Sequence, residues 1–309
     1  METMSQYRIC AILPTRNRKA LLQECIQALK AQTHPVAHII VVDNASTDGS
    51  AELAAREGAE VVQFERNLGG AAGFHEGISR AYRGGYDWVW IMDDDTIPQP
   101  NALAELLKAV PRLERLGHPP AVLASRVLWQ DGSVHPMNWP WPNPFPYRRF
   151  RAARRMGYVP VRWAAFSSVL VARWAIQKYG LPHRDYFVRT DDLEYTGRIL
   201  RREAGYLVPK SLAVHKTPTK YTPASAHPER FYYEVRNRIW VMRSRSFGVL
   251  GKAALGAHIM GGTLAYLAKN RPALGLRVVW KGLVDGLATD PDHRTTIPPH
   301  LSELGRSAG

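Results

Sequence analysis

A chain of 309 residues with 45% apolar and 22% charged residues is too apolar for a disordered polypeptide and long enough for one large domain or two unequal ones. Its formal net charge of +14 at pH 7 points to a polyanionic partner: nucleic acid, an anionic membrane surface or a phosphate-bearing substrate. Composition does not choose among these. The two cysteines, Cys10 and Cys25, sit in apolar sequence and read as buried thiols in a reducing cytoplasm, not as a disulfide. The opening METMSQYRICAIL lacks a charged leader region and runs straight into a core strand, so no cleaved signal peptide is expected.

Arg8 to Leu13 (RICAIL), closed by Pro14, predicts a buried strand, and Leu21, Leu22, Ile26 and Leu29 give Lys19 to Lys30 helical spacing. The strand His38 to Val42, the helix Ser50 to Glu57, the strand Glu60 to Phe64, the helix Gly70 to Arg83 and the strand Trp88 to Met92 (WVWIM) follow. Such alternation with short turns predicts a doubly wound, mostly parallel α/β sheet flanked by helices, with ligands at the C-terminal strand ends. Beyond it come a helix over Asn101 to Leu116, a strand over Ala121 to Leu128 and an irregular proline- and aromatic-rich loop over 135–150. A strand over Val161 to Ala172 leads into a helix near Ala175 to Tyr179, then a helix over Asp192 to Arg202 and a strand over Tyr206 to Val214. Basic, aromatic helices run from Arg230 to about Leu287, and a polar tail closes the chain.

Three acidic clusters fall at element ends. Asp93-Asp94-Asp95 ends the WVWIM strand; carboxylates at alternate positions reach one hard cation together, and Mg²⁺ or Mn²⁺ so held completes its shell with phosphate oxygens. The plain alternative is a solvated acidic turn, and placement at a strand end of a nucleotide-binding sheet favours function. Asp43 ends the second strand, where a carboxylate accepts hydrogen bonds from a base or ribose, while Ser46, Thr47 and Asp48 suit a turn and helix cap. Thr15 and Arg16 end the first strand on the same rim; Arg16 meets either a phosphate or a carboxylate.

Asn67-Leu68-Gly69-Gly70-Ala71-Ala72-Gly73-Phe74 is a glycine-rich turn into a helix that permits close backbone approach to a ligand. It matches neither the dinucleotide fingerprint nor a P-loop. Asp191, Asp192 and Glu194 open a helix, where acidic residues compensate the dipole; two aspartates and a glutamate exceed that need and suggest catalysis. His215 ends a strand and is either structural or a metal ligand.

In this order, over roughly residues 7–240, the segments resemble the family 2 glycosyltransferases with the GT-A fold. More narrowly, Asn67 to Phe74, Trp88-Val89-Trp90-Ile91-Met92-Asp93-Asp94-Asp95 and Phe187-Val188-Arg189-Thr190-Asp191-Asp192-Leu193-Glu194-Tyr195 resemble the galactofuranosyltransferases of mycobacterial-type galactan synthesis. The resemblance implies a GT-A catalytic domain over 1–240 and a basic helical region over 241–309. It implies that Asp93 and Asp95 bind the divalent metal with His215, that Asp192 is the general base, and that Asp43 contacts the uracil or thymine ring with Thr15 and Arg16 nearby. Asn67, Gly69 and Asp94 complete the expected nucleotide site, although alternation can turn Asp94 toward the fold; Asp191 and Glu194 are acceptor-orienting candidates. Thr190 stands where the family often has Trp, which bears on the acceptor more than on the chemistry.

Phe231-Tyr232-Tyr233-Glu234-Val235-Arg236-Asn237-Arg238 resembles a YYxxRN pattern of related rhamnosyl- and galactofuranosyltransferases; Arg236 and Arg238 either hold a phosphate or form a solvated helix face. The implied partners are a sugar-nucleotide donor, UDP-galactofuranose or alternatively dTDP-rhamnose, and a lipid-linked or polymeric cell-envelope glycan acceptor. Phe247 to Ala268 is apolar but carries Lys252 and His258, which suits an interfacial helix at the inner face of the membrane, or packing against protein in a homo-oligomer, better than a spanning one. A nucleic-acid-binding protein using Arg148 to Arg155 and Arg236 to Arg245 is the reading from another class, and it leaves the acidic clusters without a role.

Overall fold

The computed structural model describes residues 7–138, 140–143, 148–220, 226–269 and 272–291. The first half alternates as expected: β1 (Ile9–Thr15), α1 (Lys19–Lys30), β2 (His38–Asp43), α2 (Ser50–Arg56), β3 (Glu60–Gln63), α3 (Gly70–Arg83) and β4 (Trp88–Ile91). The strands β3-β2-β1-β4 lie side by side and pair in parallel. Every residue of β1 and β4 is buried, because helices cover both faces of a parallel sheet. Cys10 and Cys25 are free, buried thiols.

The second half is mixed. It contains β5 (Thr96–Pro98), α4 (Ala102–Glu114), β6 (Pro120–Trp129), α5 (Arg148–Arg155), β7 (Val159–Pro160), β8 (Val169–Ala172), α6 (Arg173–Tyr179), α7 (Asp191–Ile199) and β9 (Ala204–His215). β8 enters antiparallel between β4 and β6, β6 and β9 run parallel, and β5 closes the edge antiparallel to β9. Only the last four residues of the expected strand over 161–172 join the sheet through β8. Upstream, Ala164 N donates to Thr196 Oγ1 of α7, and Ser168 kinks the chain at φ +63. The loop expected over 135–150 ends at the start of α5; residues 139 and 144–147 of it, and the expected polar tail from 292, lie outside the described residues.

A ladder of buried hydroxyls ties these strands together: Trp90 Nε1 donates to Ser168 Oγ at 3.1 Å, and Ser125 Oγ lies 2.7 Å from both Ser168 Oγ and Ser211 Oγ. The polar atoms of Trp90, Ser125, Ser168 and Ser211 thereby keep partners, which avoids the cost of desolvation without a hydrogen bond. Beyond the sheet, α8 (Pro228–Arg243), α9 (Val249–Lys269) and α10 (Pro272–Ala288) share an apolar cluster around Phe231, Val235, Tyr266 and Val279. Tyr186, Leu193, Trp240, Phe247 and Leu255 form a second cluster that fastens these helices to α7 and its preceding turn. The expected boundary at 240 falls inside α8.

Gly77 marks the closest approach of α3 to β1: a Cβ there would lie 2.3 Å from Ile12 Cγ2. Gly77→Ala should therefore lower the unfolding free energy by about 1–3 kcal/mol, read from urea denaturation.

Candidate active site

The Asp93-Asp94-Asp95 turn links β4 to β5, and strand register sets what it meets. Thr96 pairs with His215, and Lys216 N donates to Asp95 O at 2.8 Å, so the end of β9 lies against the turn. One ligand atom each from Asp93, Asp95 and His215 lies within 4.8 Å of the others. His215 Nε2 is 2.8 Å from Asp95 Oδ1 and 3.9 Å from Asp93 Oδ2. Asp95 Oδ1 is nonetheless buried without an aligned hydrogen bond, as expected of an oxygen and a nitrogen aimed at a shared third partner.

On the other side of the ring, His215 Nδ1 donates to Asn138 Oδ1 at 2.9 Å, which fixes the tautomer with Nε2 facing the aspartates. Asn138 is itself held by its amide donating to Ser167 Oγ. A histidine oriented by an outer partner, beside two carboxylates, is a donor set that fits a hard or borderline divalent cation.

Charge balance here falls to Arg18, which the sequence did not single out. Its guanidinium donates to Asp94 Oδ1 at 3.2 Å and to Asp95 Oδ2 at 2.5 Å, while Thr15 Oγ1 donates to Asp94 Oδ2 at 2.7 Å. Asp94 is thus held by the fold, buried at the back of the turn. Burial still pushes its carboxyl up to about 6 against the pull of Arg18. Asp93 is 43% exposed to the cavity, which softens burial with water, but enclosure and the neighbouring Asp95 push it up to about 7. Burial also works upward on Asp95, where His215 and Arg18 outweigh it and hold the carboxyl below its ordinary value. Burial works downward on His215, and Asp95 outweighs it to raise the imidazole.

The second acidic cluster stands on a strained turn. Phe187, Arg189 and Thr190 all adopt positive φ, at 62°, 72° and 63°, conformations that persist only where the surroundings impose them. From one side Gly69 presses in: its φ is 83°, a Cβ there would lie 2.1 Å from Phe187 O, and Ala71 N donates to that carbonyl at 3.1 Å. From the other side Asn237, fully buried, directs its amide at the carbonyls of Tyr186, Val188 and Arg189 at 2.8–2.9 Å. Asp191 and Asp192 follow. Burial raises the pKa of both, and Asp192 adds to the push on Asp191. Leu193 N donates to Asp192 Oδ1 at 2.7 Å.

Both acidic clusters line one cavity of about 580 Å³: Asp93, Asp95, His215 and Arg18 from the first, and Arg189, Asp191 and Asp192 from the second. A third wall comes from the C-terminal helices through Arg230, Glu234, Arg238, Leu255 and His258. Trp141 packs edge-on against Trp163 and His258, with ring centroids 6.1 and 5.8 Å apart, giving that end an aromatic lining.

Other candidates fall elsewhere. Glu194 faces away from the cavity: it accepts from Arg198 Nη2 at 3.0 Å and Ser246 Oγ at 2.7 Å, joining α7 to the chain after α8. Arg236 does not line the cavity either; it lies over the Trp240 ring at 4.1 Å and donates to the carbonyls of Asp185 and Tyr186. Arg238 does line it, paired with Glu234. Thr15, Arg16, Asp43, Asn67 and Gly69 ring the strand ends outside this cavity. Asp43 pairs in register with Thr15 and keeps Oδ1 buried without a partner, Arg16 is exposed, and Asn67 Oδ1 accepts from Gly69 N at 3.0 Å. Ser46 N caps onto Asp43 Oδ2, and Ser50 and Lys19 N donate to Asp48, the turn role expected of that stretch.

The sequence profile of Glycosyl transferase family 2 matches residues 10–172. The chain belongs to glycosyl transferase family 2. It is 27% identical over 269 residues to galactofuranosyltransferase GlfT1 of Mycobacterium tuberculosis, covering 76% of this chain and 82% of that one. To the Mycolicibacterium smegmatis GlfT1 it is 26% identical over 208 residues, 62% of this chain, and the match spans 65% of that relative's length. It is 25% identical over 280 residues to an N-acetylglucosaminyl-diphospho-decaprenol L-rhamnosyltransferase of M. tuberculosis, covering 77% of this chain and 88% of that one.

Among solved structures, S. aureus TarS 1-349 in complex with UDP-GlcNAc superposes with a TM-score of 0.61 at 15% identity, over 97% of this chain and 87% of that one. A mannosyltransferase from Pyrobaculum calidifontis in complex with GDP-Man and Mn2+ superposes with a TM-score of 0.55 at 17% identity, over 97% and 79%. The family 2 chain therefore has the GT-A fold and is a glycosyltransferase.

Two outcomes follow for this glycosyltransferase. Asp94, at about 6 against an ordinary 3.8, keeps a proton in the folded chain that the unfolded chain has lost, which withdraws on the order of 3 kcal/mol as pH rises through that window. Asp93, pushed up to about 7, and the raised His215 act with the same sign, so in EDTA the Tm should fall as pH rises from about 4 through about 7, and Asp93→Asn should flatten that slope. Asn237→Ala leaves the strained turn without its clamp and should cost about 2–3 kcal/mol, with faster amide hydrogen exchange over residues 186–192.

Proposed function

We propose that the protein is a metal-dependent, inverting hexosyltransferase that moves galactofuranose from UDP-galactofuranose onto a hydroxyl of a cell-envelope glycan, free or lipid-linked. The observation that carries this reading is the meeting of two carboxylate groups in the lining of one cavity: Asp93 and Asp95 with His215 in one, Asp192 in the other. A set of metal-type ligands and a further buried carboxylate in one cavity suit a single displacement between a leaving diphosphate and an incoming hydroxyl.

Asp93, Asp95 and His215 would hold Mn²⁺ or Mg²⁺, and a bound cation supplies electrostatic stabilisation to the departing nucleoside diphosphate. Asp192 accepts the proton of the acceptor hydroxyl as its oxygen bonds to the anomeric carbon. The bond from that carbon to the diphosphate oxygen breaks, and the electron pair leaves with the diphosphate. Burial raises the Asp192 pKa, which makes it a stronger base than a solvated carboxylate. Asp191, whose charge is disfavoured still more strongly, is suited to hold an acceptor hydroxyl as a neutral acid. Trp141, Trp163 and His258 offer ring faces and edges to the C–H face of a sugar. Asp43, with its free buried oxygen, is the proposed contact of the base, between Thr15 and Arg16 on one side and Asn67 and Gly69 on the other.

A rhamnosyltransferase using dTDP-rhamnose is the second reading, favoured by the similarity to the rhamnosyltransferase over 77% of this chain. The nucleic-acid reading loses one of its patches, because Arg236 binds backbone carbonyls and Arg243 binds Gly286 O, Thr289 O and Asp290.

Incubation with a panel of UDP-, dTDP- and GDP-sugars should show turnover only with Mn²⁺ or Mg²⁺ present. UDP-galactofuranose or dTDP-rhamnose should be the preferred donor. Asp95→Ala should abolish the metal response, and Asp192→Asn should lower transfer by about 10²–10⁴-fold in a chain of unchanged circular dichroism. Metal-dependent turnover surviving in Asp95→Ala sinks the metal site, and normal transfer by Asp192→Asn sinks the base.

A further inference from the structure

Among the described residues, nine of the eleven large hydrophobic side chains that stand exposed lie on α9 and α10. Their spacing is ordered. At 3.6 residues per turn, Val249, Leu250, Met260 and Leu264 fall within an arc of roughly 100° on α9, and exposed Ala253, Ala257 and Ala268 fill the gaps. On α10, Leu276, Trp280, Val284 and Leu287 fall within an arc of roughly 80°, with exposed Arg277 and Lys281 along its flank. Trp280 is 70% exposed and Val249 85%, far from what a monomer leaves in water without a use for it.

We propose that this outer face of α9 and α10 seats the protein on an anionic lipid bilayer, with the apolar arcs in the acyl boundary and the basic flank among the headgroups. Charge selects the occupant. Residues 241–291 hold seven Lys and Arg against two Asp, and both aspartates are already engaged, Asp285 by Tyr232 and Lys281 and Asp290 by Arg243. A second copy docked two-fold on this face would bring like charge against like charge, whereas an anionic surface complements it. No helix among the described residues is long and apolar enough to cross a membrane, so the helices lie along the interface.

The same helix also walls the cavity. Leu255 and His258 project from α9 on the side away from its exposed arc and line the cavity beside Glu234 and Arg238. A bilayer under α9 is therefore about one helix diameter, roughly 10 Å, from the proposed acceptor end. This link to the acceptor rests on the transferase reading; the docking itself does not.

The test is co-sedimentation of the full chain with vesicles of phosphatidylcholine containing about one-third phosphatidylglycerol, against vesicles of phosphatidylcholine alone. Binding should require the anionic lipid and weaken with added salt. The triple variant Leu250→Ser, Leu264→Ser, Trp280→Ser should lower the bound fraction by about tenfold or more, with circular dichroism and vesicle-free sugar-nucleotide turnover unchanged. Trp280→Phe should lose the blue shift of tryptophan emission that anionic vesicles induce in the wild-type chain. Failure of the wild type to bind anionic vesicles overturns the proposal, as does a full blue shift retained in Trp280→Phe. A wild-type dimer that the triple variant splits into monomers overturns it in favour of a second copy. Absence of sugar-nucleotide turnover in the wild type counts against the transferase reading and leaves the vesicle result standing.

Discussion

Three adjacent aspartates at a buried strand end impose the constraint around which the site is organised: their charges cannot share so small and dry a space without compensation. The fold answers with two basic side chains from distant sequence. Arg18, at the start of α1, pairs with Asp94 and Asp95. His215, at the end of β9, meets Asp95 and approaches Asp93 from the opposite side. The first needs the parallel β1–β4 pairing, which sets the turn after β1 beside the turn after β4; the second needs the antiparallel β5–β9 pairing, which sets Thr96 opposite His215. A register slip in that short edge strand would rotate the histidine away from the carboxylates.

The second acidic cluster is governed by backbone strain. Three non-glycine residues with positive φ precede Asp191, and two neighbours impose that conformation: Gly69, whose missing side chain lets the backbone approach Phe187, and Asn237, whose amide collects three carbonyls. The glycine-rich turn and the Arg-Asn pair of α8 are therefore two jaws of one clamp. Arg236 belongs to it by stacking on Trp240 while binding the carbonyls of Asp185 and Tyr186.

Much of this was legible in the amino-acid order, because buried parallel strands write themselves as continuous apolar runs and the acidic clusters stand at their ends. β1 to β4, the Asp93–Asp95 turn and the helix opened by Asp191 are of this kind. What was not legible depends on long-range partners. β5 is three residues long and contains a proline, so no local pattern marks it. Arg18 looks like any basic residue at a helix start until the sheet brings Asp94 beneath it. Glu194 is indistinguishable in sequence from its acidic neighbours, yet a helical turn directs it at Arg198 and Ser246 and away from the cavity. Arg236 and Asn237 occupy a motif whose polar character suggested ligand contact, whereas their partners are backbone carbonyls of the chain itself.

The position of α8 bears on modularity. Its cavity-facing residues Glu234 and Arg238, its clamp Asn237 and its core residue Trp240 follow one another within two turns. The chain beyond it returns Phe247 to lie against Gly197 of α7. A cut near residue 240 would remove part of the packing, through Trp240, Phe247 and Leu255, that lies against Tyr186 and Leu193 on either side of Asp191 and Asp192. The C-terminal helices and the turn before α7 pack as one unit: a graft of α8 from a relative would reshape the backbone that carries Asp191 and Asp192.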